Sequence, residues 1–206
     1  MVKAYRTSTA LVAAIILTLP LPAQAGDITS AYTKIDPSDC MVFTTADAAN
    51  GVPRQAVCPG YGGYPVLILT TADRESVYYG FPPHGEFISR WVSFSAPNRM
   101  GGTIEWRVLT EGDRSVPVAA IQRWFIDDPN HSEAAVEVLV VRKVGQIEEW
   151  RGCILGYVVA TGNADANQKA REIADAKAHE NDCRIIDVAI EEGARPLPSI
   201  TLYGYD

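Results

Sequence analysis

The middle of this chain is a succession of short runs rich in β-branched, aliphatic and aromatic residues, at 66–70, 76–81, 87–94, 103–110, 116–126, 134–143 and 153–160. Only a few turn-forming residues separate one run from the next, as in Ala72-Asp73-Arg74, Pro82-Pro83-His84-Gly85 and Glu111-Gly112-Asp113. A parallel crossover needs a dozen residues or more, so these gaps predict antiparallel neighbours and a meander. Ile104, Trp106 and Val108 alternate with Thr103, Glu105 and Arg107, the period of a strand with one polar face. In 116–126, 134–141 and 154–159 the apolar residues fall on both parities, which requires cover on both faces. The pattern predicts an α+β fold, an antiparallel meander forming a curved sheet or half-barrel of about seven strands packed on one C-terminal helix.

That helix is expected from Ala164 to about Glu180. Asn163 or Asp165 is placed to cap its first turn, and Ala166, Ala170, Ile173 and Ala174, with Ala178 nearby, form a narrow face of small residues at helical spacing. Small side chains let a helix axis approach a sheet closely. A final strand is expected over 184–190. Upstream, 41–45 reads as a strand and Asn50-Gly51-Val52-Pro53 as the turn of a small hairpin returning to Cys58. Each tryptophan follows a charged residue, in Arg90-Trp91, Glu105-Trp106, Arg123-Trp124 and Glu149-Trp150. Charges of alternating sign on the outer face then pair across neighbouring strands while the indoles point inward.

The N-terminus carries a different signal. Lys3 and Arg6 precede an uncharged apolar run over 10–19, followed by Pro20, Pro22 and the small-x-small triplet Ala23-Gln24-Ala25. That order reads as a secretory signal peptide over 1–25, cleaved before Gly26. The run is too short and too broken by proline for a membrane span. No integral membrane segment is expected after cleavage. The remaining 181 residues suit a single globular domain, 26–206, with 26–39 and 195–206 loosely ordered. Its Lys and Arg number 16 against 25 Asp and Glu, a net charge of −9, which repels nucleic acid and anionic lipid, and no concentrated basic patch offsets it.

An even cysteine count in an exported chain reads as two disulfides. Of three connectivities, Cys40–Cys58 and Cys153–Cys183 are expected, because each brackets one local unit. Loop-closure entropy gives each about 3 kcal/mol or slightly more. Neither pair is a Cys-x-x-Cys redox motif, and His84, His131 and His179 are too scattered for a zinc site.

Catalytic signatures are missing. There is no Gly-x-Ser-x-Gly elbow, and His179-Glu180 runs into Asn181-Asp182-Cys183 without the second histidine of a zincin. The loop Cys58-Pro59-Gly60-Tyr61-Gly62-Gly63-Tyr64-Pro65 lacks the glycine order, the lysine and the following helix of a phosphate cradle. Asp128, Asn130 and Ser132 alternate as in a calcium loop, but the turn glycine and the terminal glutamate are absent. On a strand, adjacent carboxylates such as Glu148-Glu149 and Glu191-Glu192 face opposite ways and are not expected to flank one bond. No cofactor, no metal site and no catalytic residue is expected. One cluster, Tyr61, Tyr64, Tyr78, Tyr79 and His84, offers flat amphipathic platforms for a sugar ring or a partner's side chains, unless Tyr78 or Tyr79 is core and the loop only turns.

Asp39-Cys40, the 58–65 loop, the 138–141 run, and Cys153, Gly156-Tyr157 and Asn163-Ala164-Asp165-Ala166-Asn167 entering an alanine-rich helix resemble a group of uncharacterised small secreted proteins of Gram-negative bacteria. The resemblance implies export and a single domain and carries no activity, cofactor or catalytic residue. The reading is an exported, disulfide-containing periplasmic protein, non-enzymatic, that binds an envelope component or a partner protein. The alternatives are a cell-wall-active hydrolase using carboxylates brought together by the fold, and a structural envelope protein.

Overall fold

The computed structural model describes residues 26–82, 90–128, 134–149, 151–178, 183 and 187–204. The signal-like segment, His84, His131, Trp150 and His179 lie outside the described residues. In chain order the strands are β1 (Asp27–Lys34), β2 (Met41–Thr44), β3 (Arg54–Pro59), β4 (Pro65–Thr70), β5 (Glu75–Tyr79), β6 (Arg90–Phe94), β7 (Asn98–Glu111), β8 (Arg114–Ile126), β9 (Val136–Lys143), β10 (Ile154–Val159), β11 (Ala189–Glu191) and β12 (Ile200–Gly204), with α1 (Ala166–Lys177) between β10 and β11. The protein is mostly β with one helix among the described residues, an α+β fold in the broad sense.

The strands divide into two main sheets, where sequence reasoning expects one curved sheet or half-barrel. Six strands form the larger sheet in the order β1-β7-β8-β9-β10-β11, four form a second in the order β2-β3-β4-β5, and β6 pairs with β12 in a ribbon. The two meanders, β2 to β5 and β7 to β10, are antiparallel throughout, as their short connections require. Among the described strands β10 and β11 alone pair in parallel, and α1 is the crossover between them.

Both faces of the larger sheet are covered, by different layers. On one face Ile104, Trp106, Ala120, Trp124, Val138, Val140 and Tyr157 meet Cys58, Val66, Ile68, Val77 and Tyr79 of the second sheet. On the other, Ala119, Ile121, Leu139, Val141, Leu155 and Val158 lie under Ala166, Ala170, Ala174 and Ala178. The larger sheet is therefore the middle layer, which explains the apolar residues on both parities of β8, β9 and β10. The helix makes its small-residue face its buried one. Close approach also needs Gly156, where a Cβ would stand 2.9 Å from Ile173 Cγ2 and 3.0 Å from the Ala189 carbonyl.

Two segments expected to be loose each contain a strand. β1 pairs with β7 through eight residues, Asp27 opposite Thr110 to Lys34 opposite Thr103, and β12 pairs with β6. An edge strand gains ladder hydrogen bonds without an apolar face, so a polar composition does not exclude it. The charges beside the tryptophans find partners in different places. Arg123 pairs across β8 and β9 with Glu137 at 2.6 Å, Glu105 reaches Arg171 of the helix at 2.6 Å, and Glu149 meets Lys143 at 3.0 Å.

Disulfides join Cys40 to Cys58 and Cys153 to Cys183. The first ties the start of β2 to the end of β3, and the second ties the segment after α1 to the start of β10. No helix among the described residues is long and apolar enough to cross a membrane.

Candidate functional site

The β7–β8 hairpin turns on Gly112 and Asp113, with Glu111 opposite Arg114. Gly112 has φ +59°, a conformation that glycine adopts without a Cβ penalty. At this end of the larger sheet the segment after β9 runs alongside β8, held by the Val144 N–H donating to the Val118 carbonyl at 3.0 Å. Between hairpin and segment lies a groove of about 330 Å³. Leu109, Val116 and Val118 give it a partly buried apolar floor, and Glu111, Arg114 and Glu148 give it an exposed charged rim.

Gln146 connects this groove to the glycine-rich turn. Its amide nitrogen donates to the Pro117 carbonyl at 2.8 Å and the Val144 carbonyl at 3.2 Å, while its Oε1 accepts from the Tyr64 hydroxyl at 2.7 Å. Pro117 has no N–H to give the ladder and sits at a register shift opposite Val108, which leaves its carbonyl to Gln146. Tyr64 is thus fixed beside the groove, its ring tilted against Phe81 at 5.3 Å between centroids. Its phenol is pushed upward, chiefly by burial and then by the Glu148 charge, so it stays neutral at physiological pH.

The rim charges differ in how firmly they are held. Arg114 and Glu148, 3.3 Å apart, are both more than half exposed, and such a pair exchanges readily with a ligand's charges. Glu149 pairs with the buried Lys143. Glu111 has no ion-pair partner among the described residues.

A second groove, about 450 Å³, runs between Ser95–Ala96 and the tail at Pro196–Ser199. Its wall is the Arg195–Asp128 pair, 3.0 Å apart and largely buried.

Of the five residues expected to share a ligand surface, the four that are described do not form an exposed patch. Tyr64 borders the first groove, and Tyr61, partly buried, packs against the rim of the main core. Tyr78 and Tyr79 are 6% and 1% exposed and point to opposite faces of β5. Tyr79 joins the core between the sheets, edge-on to Trp106, and its hydroxyl donates to Gln122 at 2.5 Å. Tyr78 packs with Leu69 and Trp91 on the far side. Burial pushes Tyr79 upward and Tyr78 up to about 12, so both remain neutral core phenols and not surface platforms. His84 lies outside the described residues.

Arg142 was not singled out by any sequence motif. It is 8% exposed, its Nη2 donates to the Val92 carbonyl at 3.3 Å, and its Nε has no hydrogen-bond partner. Burial lowers its pKa, opposed by Tyr157, Tyr79 and Tyr78 around it. Arg114 and Gln146 also escaped sequence reasoning, and Glu148, read with Glu149 as a strand pair facing opposite ways, lies with it in the turn after β9, where both line the groove. The Glu111-Gly112-Asp113 turn was a signal for the Glu111–Arg114 pair, but nothing local to Gln146 reports its contact with Tyr64, 82 residues away.

Among the described residues no group of three His, Cys, Asp or Glu is placed to hold a metal ion. Glu75, a carboxylate pushed upward by burial, lies in neither groove, and its Oε2 accepts the Met100 N–H at 2.7 Å. Comparison of the chain with protein-family models, curated proteins and solved structures finds no match.

Proposed function

We propose that this chain is an exported, periplasmic, non-enzymatic binding domain that recognises a partner protein or an envelope component through the groove beside Tyr64. The observation that carries this reading is the groove's construction, an apolar floor with a charged, exchangeable rim and an aromatic side chain locked at its border by Gln146. Apolar contact with a few convergent polar groups is the usual composition of a recognition site. Export is supported by the signal-like order of 1–25 and by the two disulfides, which persist in an oxidising compartment.

The test uses the protein purified from the periplasm of an expressing bacterium, with Tyr64→Ala, Arg114→Glu and the remote Asp187→Ala as variants. Each is presented to periplasmic extract and to purified cell-wall material. Retention of one component by the wild type and Asp187→Ala, lost in both groove variants, supports the reading. Retention indifferent to the groove variants overturns it, and release of soluble cell-wall fragments makes the protein a hydrolase instead.

A further inference from the structure

We propose that cleavage between Ala25 and Gly26 builds an ion pair at the groove, in which the new α-ammonium of Gly26 takes Glu111 as its counter-ion. The β1–β7 register, Asp27 opposite Thr110, extends by one step to bring Gly26 opposite Glu111. The spacing agrees. A Cβ at Gly26 would stand 2.8 Å from Glu111 Cγ and 2.5 Å from Leu109 Cδ1, so the backbone of residue 26 lies directly against two residues that line the groove. Glycine permits this approach, since any side chain would have to displace both neighbours.

Charge makes the placement matter. Hydrolysis of the Ala25–Gly26 amide breaks its C–N bond, water's oxygen leaves with Ala25 as a carboxylate, and the Gly26 nitrogen becomes an amine that is protonated at neutral pH. In the uncleaved chain that same nitrogen is an uncharged amide, and Glu111 has no ion-pair partner among the described residues. The lining holds Glu111, Glu148 and Glu149 against Arg114, so cleavage takes it from two net negative charges to one. Processing thereby sets the charge that a ligand meets, and the chain enters the fold at the rim of the site it regulates. The proposal rests on the export reading for the cleavage itself and on geometry for the pairing.

The two are separated by one preparation. The exported protein is purified from the periplasm, its intact mass is measured, and the Gly26 carbon resonances are followed by NMR from pH 6 to 10, in the wild type, Glu111→Gln and the remote Glu172→Gln. The expected result is a chain beginning at Gly26 whose amine titrates about 0.5 unit above the ordinary range of about 7.7–8.0. Glu111→Gln should return it to that range and Glu172→Gln should leave it raised. A cleaved chain whose amine titrates normally and ignores Glu111→Gln overturns the pair and leaves export standing. A mass that retains Lys3 overturns the cleavage, and the pair with it, whereas a protein found only in the cytosol overturns export.

Discussion

Arg107 of β7 holds Asp175 of α1 with two parallel hydrogen bonds, Nε to Oδ1 and Nη2 to Oδ2, both 2.7 Å. Two residues along the same strand, Glu105 accepts from Arg171, one helical turn before Asp175, at 2.6 and 3.2 Å. Ser30 of β1 links the pairs, donating to Glu105 at 2.6 Å and accepting from Arg107. Acid and base thus alternate from edge strand to helix. The network takes over where the alanine seam under α1 ends, because β7 turns Glu105 and Arg107 toward the helix and its apolar residues toward the second sheet.

Removing Asp175 takes from Arg107 its bidentate partner and leaves it Ser30, the Ile28 carbonyl at 3.4 Å and Glu105 at 3.9 Å. The Arg107 side chain is 9% exposed and that of Asp175 35%, so Asp175→Ala should cost about 2 kcal/mol, below the figure for a fully buried pair. Lys169→Ala, which breaks the exposed pair with Glu191, should cost no more than about 0.5 kcal/mol. Urea melts of the two variants check the contrast, and equal costs would mean that the network does not anchor the helix.

Ala170 is fully buried against the larger sheet. Ala170→Leu has no space to fill and should destabilise by about 1–3 kcal/mol. Glu172→Leu, on the exposed side of the same helix, should change stability by less than about 0.5 kcal/mol. Denaturant midpoints that reverse this order would place the opposite face of α1 inward.

Arg142 tests the opposite effect, a buried charge without a carboxylate partner among the described residues. Arg142→Met keeps most of the volume and removes the desolvation cost, so the protein should be unchanged or up to about 2 kcal/mol more stable. The measurement is a urea midpoint at neutral pH. A loss of about 2 kcal/mol or more would show that the guanidinium is compensated in the folded state.

Glu75 makes a pH prediction. Burial, the largest influence, raises its folded pKa above the ordinary carboxylate value despite the Met100 N–H and the charges of Arg99 and Arg54. A raised folded value means that the native state favours the protonated acid. This contribution is full below the unfolded pKa and is lost as pH rises through the folded one. Glu75→Gln removes the titration, so its stability relative to wild type should improve on going from pH 4 to pH 7. Urea melts at the two pH values check the sign, and a relative loss at pH 7 would refute it.

Much of the local architecture was legible. Short turns announced antiparallel neighbours, though as one meander where the structure has two, mixed parity in β8, β9 and β10 announced cover on both faces, and alanines at helical spacing marked the buried side of α1. Local bracketing of the cysteines matched the disulfides found. Of the candidate site, Tyr64 was visible as an aromatic on a glycine-rich turn, but its grouping with Tyr78 and Tyr79 was not sound, since adjacent residues on β5 face opposite layers.

What the amino-acid order determined by itself was what depends on neighbours a few residues apart: strand and helix periods, turn positions, the direction of hairpin pairing and which stretches must be buried. The tertiary structure alone decided which strands share a sheet, that β1 takes the edge beside β7, that the second face is covered by a sheet and not by the curl of the first, and that Gln146 meets Tyr64. Each of these depends on contacts between residues far apart in the chain. Such contacts are selected by the packing of whole layers and by the unpaired edges left after local structure has formed, and no short window of sequence carries that information.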